Sequence, residues 1–224
     1  MIDCDHPTIK TLAAQLAPGE LPEIVRAIRI HDAVRDRIKF GWDSAFYDQT
    51  ASSVLGSGVG FCNTKSTLFV ALLRAAGIPA RQHFVNINAD ILSPFIDPGM
   101  RYVDHSFAEV WLDGRWVATD SYIVDRPLHF AAAKLLKEQK RVLGYGVHRE
   151  GQWEWDGRRN SFSQLVRNSD DVYVSTKSYG VFEDVAAFYA SGNGANRLSL
   201  PLRVGFVFLA RGANRRIEYV RATA

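Results

Sequence analysis

Two cysteines occur in the 224 residues, Cys4 and Cys62, and the second sits in a context suited to nucleophilic chemistry. It follows the glycine-spaced loop Gly58-Val59-Gly60-Phe61. It also opens a helix-periodic run through Leu68, Leu72 and Ala75 that stops at Gly77 and Pro79. A cysteine at a helix N-terminus meets free backbone N–H groups and the positive end of the helix dipole, which favour a thiolate. Its own N–H, with neighbours in the first turn, is placed to stabilise an oxyanion after attack on a carbonyl. Gly58 and Gly60 permit tight turning and close backbone approach. The same pattern describes a small buried residue at a helix start, so the cysteine alone leaves nucleophile and core filler both open.

A candidate partner set lies downstream. Residues 105–112 alternate and run into Asp113-Gly114, a strong signal for a two-residue hairpin turn, with residues 115–120 returning as the second strand. That turn pairs Leu112 with Arg115, Trp111 with Trp116 and Phe107 with Asp120. Alternation then puts His105, Phe107, Glu109 and Trp111 on one face with Trp116, Ala118, Asp120 and Tyr122. His105 is one diagonal step from Asp120, about 7 Å between backbone positions, which a ring N–H to carboxylate hydrogen bond can span. A catalytic imidazole needs such an orienting carboxylate. A structural His–Asp pair on a half-buried sheet is the other reading.

The remaining elements must hold these two pieces together. Residues 8–17 read as a short helix closed by Pro18-Gly19. After Pro22, Ile24, Ile28, His31, Val34 and Ile38 recur at helical spacing, with His31 on or beside the apolar stripe as a ring satisfied in the core. Residues 40–50 break the periodicity. Residues 81–88 read as a strand around Phe84, Val85 and Ile87, and residues 89–104 as a long connection of the kind that often covers a site. Pro127 starts a helix to about Arg141. A second hairpin is expected over residues 145–155, with Trp153 and Trp155 on one face, and a helix over residues 180–190. Residues 198–211 leave helix and strand both open. No linker marks a second domain, so the expectation is one domain over residues 1–224, with a core at about 20–125 and a C-terminal extension at 126–224.

The motifs resemble a known family. Gly60-Phe61-Cys62 and then Leu72-Leu73-Arg74-Ala75-Ala76-Gly77-Ile78-Pro79-Ala80-Arg81 look like the nucleophile helix of the transglutaminase-like superfamily. His105-Ser106-Phe107-Ala108-Glu109-Val110-Trp111, Gly114-Arg115-Trp116-Val117 and Asp120 are similar to its His and Asp strands. The resemblance spans roughly residues 55–125. It implies an α+β, papain-related core, with the nucleophile helix packed on an antiparallel sheet, and acyl transfer through a thioester. Carried over by position, Cys62 is the nucleophile, His105 the general base and then acid, and Asp120 the orienter. The family often has Trp where this chain has Phe107, and Pro-Thr where it has Ser121-Tyr122, which bears on the site walls.

A second oxyanion donor is expected before the cysteine, with Trp42 and Gln49 as candidates that could equally pack or lie on the surface. Tyr122 is a third candidate for contact with substrate. Glu109 is expected to pair with a cation. Trp153 and Trp155 read as core packing or as walls of a groove. A zinc site on Cys62, His105 and Asp120 lacks a fourth ligand, and Gly58-x-Gly60 lacks the rest of a nucleotide-binding loop, so no metal or other cofactor is expected.

The net charge is only +3, and Arg203, Arg211, Arg215, Arg216 and Arg221 against Glu218 place the excess near the C-terminus. A solvated basic face is the expectation there, with neither nucleic acid nor membrane as a partner. Two cysteines make no disulfide framework, and the N-terminus shows no signal-peptide pattern, so a cytoplasmic location is expected. The expected substrate is a peptide, a protein or a small acyl compound. The alternative reading is a catalytically silent transglutaminase-like domain used for binding or as a scaffold.

Overall fold

Proline and capping residues set the first helices in the computed structural model, which describes residues 1–166, 177–195 and 200–223. Helix α1 (Pro7–Leu16) begins on its proline, and α2 (Glu23–Arg37) follows Pro22. Strand β1 (Lys39–Phe40), helix α3 (Ala51–Ser57) and strand β2 (Val59–Gly60) lead to α4 (Cys62–Ala75). The two short strands pair in parallel, Lys39 opposite Val59 and Phe40 opposite Gly60.

Residues 63–73 of α4 are buried without a break, so this helix runs through the core instead of lying on it with one face. Its polar side chains are matched accordingly. Ser66 Oγ bonds Tyr122 Oη at 2.6 Å, and Thr67 Oγ1 donates to Asn63 O at 2.9 Å. The Lys65 ammonium donates to Ile38 O at 2.5 Å and Arg35 O at 3.4 Å, which satisfies carbonyls orphaned at the end of α2.

Strand β3 (Ala80–Asn88) is followed by a 3₁₀ turn (Ala89–Leu92), then by β4 (Tyr102–Leu112) and β5 (Arg115–Thr119). At the turn, Asp113 and Gly114 both take positive φ, 49° and 76°, as a hairpin turn of the primed type requires. The register runs from Leu112 opposite Arg115 to Ala108 opposite Thr119. There the ladder ends. Asp120 N–H turns to Ser161 O at 3.1 Å, so the expected pairing of Phe107 with Asp120 does not form.

Helix α5 (Arg126–Glu138) and the ribbon of β6 (Leu143–Gly144) with β7 (Val147–His148) come next, followed by β8 (Ser178–Phe182), α6 (Val185–Ala190) and α7 (Leu200–Arg221). The main sheet is antiparallel, ordered β5-β4-β3-β8, with α4 packed against β3 and β4. Strand β8 corrects the helix expected over residues 180–190. The backbone of 178–182 pairs with the free edge of β3, and helix begins only after Asp184, whose carboxylate accepts Ala187 N–H at 2.8 Å.

The expected second hairpin is also corrected. The paired ribbon lies instead at 143–148, two residues per strand, and residues 149–155 carry no strand. Trp155 is buried against His31 and Phe69, while Trp153 lies under the guanidinium groups of Arg35 and Arg126. Residues 200–211 are helical, and positions 198 and 199 of that window lie outside the described residues.

The arginines near the C-terminus are not simply solvated. Arg221 bonds both Asp125 oxygens, at 2.7 and 2.8 Å, and Phe40 O at 3.0 Å, while Arg216 donates to Phe95 O at 2.8 Å. Among the described residues no helix is long and apolar enough to cross a membrane.

Candidate active site

Cys62 is the first residue of α4, after Phe61 in extended conformation (φ −120°, ψ −172°). Phe61 N–H donates to Thr64 Oγ1 at 3.0 Å, which pins the entry to the helix. A side chain at Gly60 would put its Cβ 2.8 Å from Thr64 Oγ1 and 2.9 Å from Lys65 Cγ, while Gly58 closes α3 in the left-handed region at φ 66°. The glycine spacing is therefore steric. Cys62 keeps partial exposure, its sulfur 3.6 Å from Asn63 Oδ1 and 3.9 Å from Asp104 O.

His105 lies on β4, only 1 % exposed, with Nε2 3.0 Å from Asp120 Oδ2. That leaves Nδ1 as the ring nitrogen available to Cys62. Burial opposes a charged ring, but the hydrogen bonds and charges of Asp120 and Cys62 outweigh it and raise His105 to about 9. The imidazolium is thus the favoured form at neutral pH.

The carboxylate of Asp120 is held by more than the histidine. Oδ1 accepts the backbone N–H groups of Ser163 at 2.5 Å and Gln164 at 3.1 Å, and Oδ2 accepts that of Leu165 at 2.8 Å. These donors lie in irregular chain 43 to 45 positions downstream. The sequence held no signal for them, because backbone N–H groups are common to nearly every residue.

A second polar chain fixes the residues beside Asp120. His31 Nδ1 bonds Asp32 Oδ1 and its Nε2 bonds Ser121 Oγ, which in turn bonds Thr119 Oγ1, each at 2.9 Å. The order acid, imidazole, hydroxyl matches a hydrolytic relay, yet His31 and Ser121 are both fully buried and neither lines the cavity beside Cys62, so this chain holds the segment next to Asp120 in place. His31 is the satisfied core histidine that its helical spacing predicted.

Cys62 and His105 open onto a cavity of 390 Å³. Trp42 lines it. Gln49 and Tyr122 do not: Gln49 is buried elsewhere with its Oε1 unbonded, and Tyr122 packs beside Phe69 with its hydroxyl on Ser66. Tyr122 misses the His105 face because the strand ends at Thr119 and its alternation ends with it. Glu109 bonds Arg81 at 2.6 Å and lies 3.4 Å from His83, as a cation partner should. Trp153 and Trp155 are not among the cavity walls. Among the described residues no group of three or more His, Cys, Asp or Glu is arranged to hold a metal ion.

The family model described as the transglutaminase-like superfamily matches residues 10–121, which include Cys62, His105 and Asp120 but not the backbone donors at 163–165. No curated protein matches the chain. Among solved structures, the chain is similar to a "putative cysteine protease" from Cytophaga hutchinsonii, with 19 % identity over 52 % of this chain and 37 % of that one, at a TM-score of 0.41. It is also similar to a "putative protease" from Parabacteroides distasonis, at 18 % identity over 50 % of this chain and 22 % of that one, with a TM-score of 0.38. A third, red sea bream transglutaminase, gives 14 % identity over 50 % and 25 % of the two chains, at 0.34. The matched region spans little more than a third of the first of these proteins and a quarter or less of the others.

Proposed function

The chain belongs to the transglutaminase-like superfamily, and on that premise we propose that it is a cysteine-dependent acyl-transfer enzyme working through a thioester on Cys62. The Cys62 thiolate attacks the carbonyl carbon of an amide, ester or thioester, forming a carbon–sulfur bond and an oxyanion. First-turn N–H groups of α4, the Cys62 N–H among them, stabilise that oxyanion. Collapse breaks the bond to the leaving group, which takes the proton of the His105 imidazolium. The neutral ring then removes a proton from the acceptor as it attacks the thioester, and the carbon–sulfur bond breaks to restore thiolate and imidazolium. Asp120 fixes the ring and balances its charge. Water is the acceptor in this reading, since it needs no binding site of its own.

The observation that carries the proposal is the His105 ring held between Asp120, at 3.0 Å, and a partly exposed Cys62 at a helix start. The test is turnover by Cys62→Ala with acyl substrates, alongside mass spectrometry of the unaltered protein for an acyl adduct. We expect a loss of about 10⁴-fold or more in kcat and an adduct confined to Cys62. Full turnover by the variant would refute the mechanism.

A further inference from the structure

The walls of the cavity beside Cys62 carry information about the acyl donor. Phe40, Trp42, Phe46, Ile91, Ile96 and Phe206 contribute apolar surface from β1, the loop after it, the segment after β3, and α7. The polar lining residues at the reactive end are Cys62, Asp104, His105 and Gln164. Gln164 is already engaged, its Nε2 donating to Gly146 O at 2.7 Å. Away from that end the lining offers exposed Asp97 and the Trp42 indole, and no lysine or arginine among the described residues.

We propose that the cavity binds the acyl group of a medium-chain fatty acyl ester or thioester, with its carbonyl at Cys62 and its alkyl chain along the apolar wall. This rests on the acyl-transfer reading of Cys62. The chemistry separates the donor classes. A peptide acyl group would bring several amides against walls whose side chains are mostly apolar, and each amide left unpaired is penalised. An anionic acyl group would meet two aspartates and, among the described lining residues, no lysine or arginine, the one cation being the His105 imidazolium that already pairs with Asp120 at the reactive end. An alkyl chain has one polar end, matching a cavity whose polar side chains gather mainly around Cys62 while the rest of the lining is mostly apolar, and each buried methylene gains free energy. The volume of 390 Å³ falls in the range that encloses small organic ligands.

The test is kcat/KM for p-nitrophenyl esters from acetyl to octanoyl. We expect a rise of roughly two- to fourfold per methylene, and Met100→Asp, a change at an exposed residue on the cavity wall, to cut the octanoyl-to-acetyl ratio at least tenfold. A rate that stays flat or falls along the series overturns the inference. Calorimetry on Cys62→Ala, which cannot form the thioester, reads the cavity independently of turnover. Octanamide should give a saturable heat with a negative heat-capacity change, and N-acetylglycinamide should give none. Absence of octanamide binding overturns the inference whatever the kinetics. Octanamide binding without Cys62-dependent turnover of any ester would support the apolar ligand class and sink the acyl-transfer reading instead.

Discussion

Asn214 grips the peptide of Trp42 from both sides: its Oδ1 accepts the Trp42 N–H at 3.0 Å and its Nδ2 donates to Trp42 O at 2.8 Å. The two residues are 172 positions apart. Through this clamp α7 holds one wall of the cavity, and through Arg221 on Asp125 and Phe40 O it holds the adjoining strand. The C-terminal third therefore acts on the site from behind. It supplies the clamp for Trp42 and, at residues 163–165, the cradle for Asp120.

Removing the clamp should be felt in both stability and catalysis. Asn214→Ala loses two hydrogen bonds and leaves the Trp42 N–H and C=O short of partners, a cost of about 1–3 kcal/mol. Urea unfolding should show a lower midpoint at unchanged m-value, with a raised KM for ester substrates. Asn214→Asp retains the acceptor and should recover part of the loss. A variant indistinguishable from the parent in midpoint and KM would mean that the clamp is incidental.

The pH dependence of stability should contain two opposing contributions. The folded chain holds a proton on His105 up to about 9, against an ordinary value of 6.5. Its stabilisation is therefore complete below about pH 6.5 and is lost as pH rises through 9. Lys65 runs the other way. Burial outweighs the charges of Asp125 and Asp36 and lowers it from 10.5 to about 7, so between those values the unfolded chain binds the extra proton and stability rises with pH. The two slopes, each at most about 1.4 kcal/mol per pH unit, oppose one another between pH 7 and 9. Urea midpoints should thus change little over that range in the parent, decline in Lys65→Met and climb in His105→Ala. A flat profile in both variants would remove the basis for either contribution.

Asp120→Asn should damage the site more than the loss of one charge suggests. An amide NH₂ placed in this cradle must face either a backbone N–H or the donor side of His105, since four N–H groups converge on the carboxylate. We expect kcat to fall about 10²- to 10⁴-fold and folding stability to drop by about 1–3 kcal/mol. Activity within a factor of two of the parent would show that the ring needs no orienting anion.

Chemical labelling offers a check that needs no substrate. Both cysteines are partly exposed, but only Cys62 sits at the start of a long helix beside the positive ring of His105. Iodoacetamide at pH 6–7 should modify Cys62 at least tenfold faster than Cys4, and His105→Ala should remove most of that preference. Equal rates at the two sites in the parent protein would contradict the electrostatic argument.

The amino-acid sequence determined the parts of the site that depend on neighbours along the chain. Pro79 and Gly77 end the helix that Cys62 begins. Asp113-Gly114 sets a hairpin register from local twist alone, and that register brings His105 near Asp120. Each of these follows from dihedral preferences and periodicity within about a dozen residues. The tertiary structure decided what is nonlocal and chemically anonymous. The end of the ladder at Thr119 moved Tyr122 into the core. Residues 178–182 became strand because β3 presented a free edge, and α4 is buried all round because partners from several elements meet its polar side chains. The cradle on Asp120 is built from backbone N–H groups, and the clamp on Trp42 from a single asparagine in a distant helix. Such contacts leave no periodic trace, since any residue has an N–H to offer and only the folded chain brings the right ones to the carboxylate.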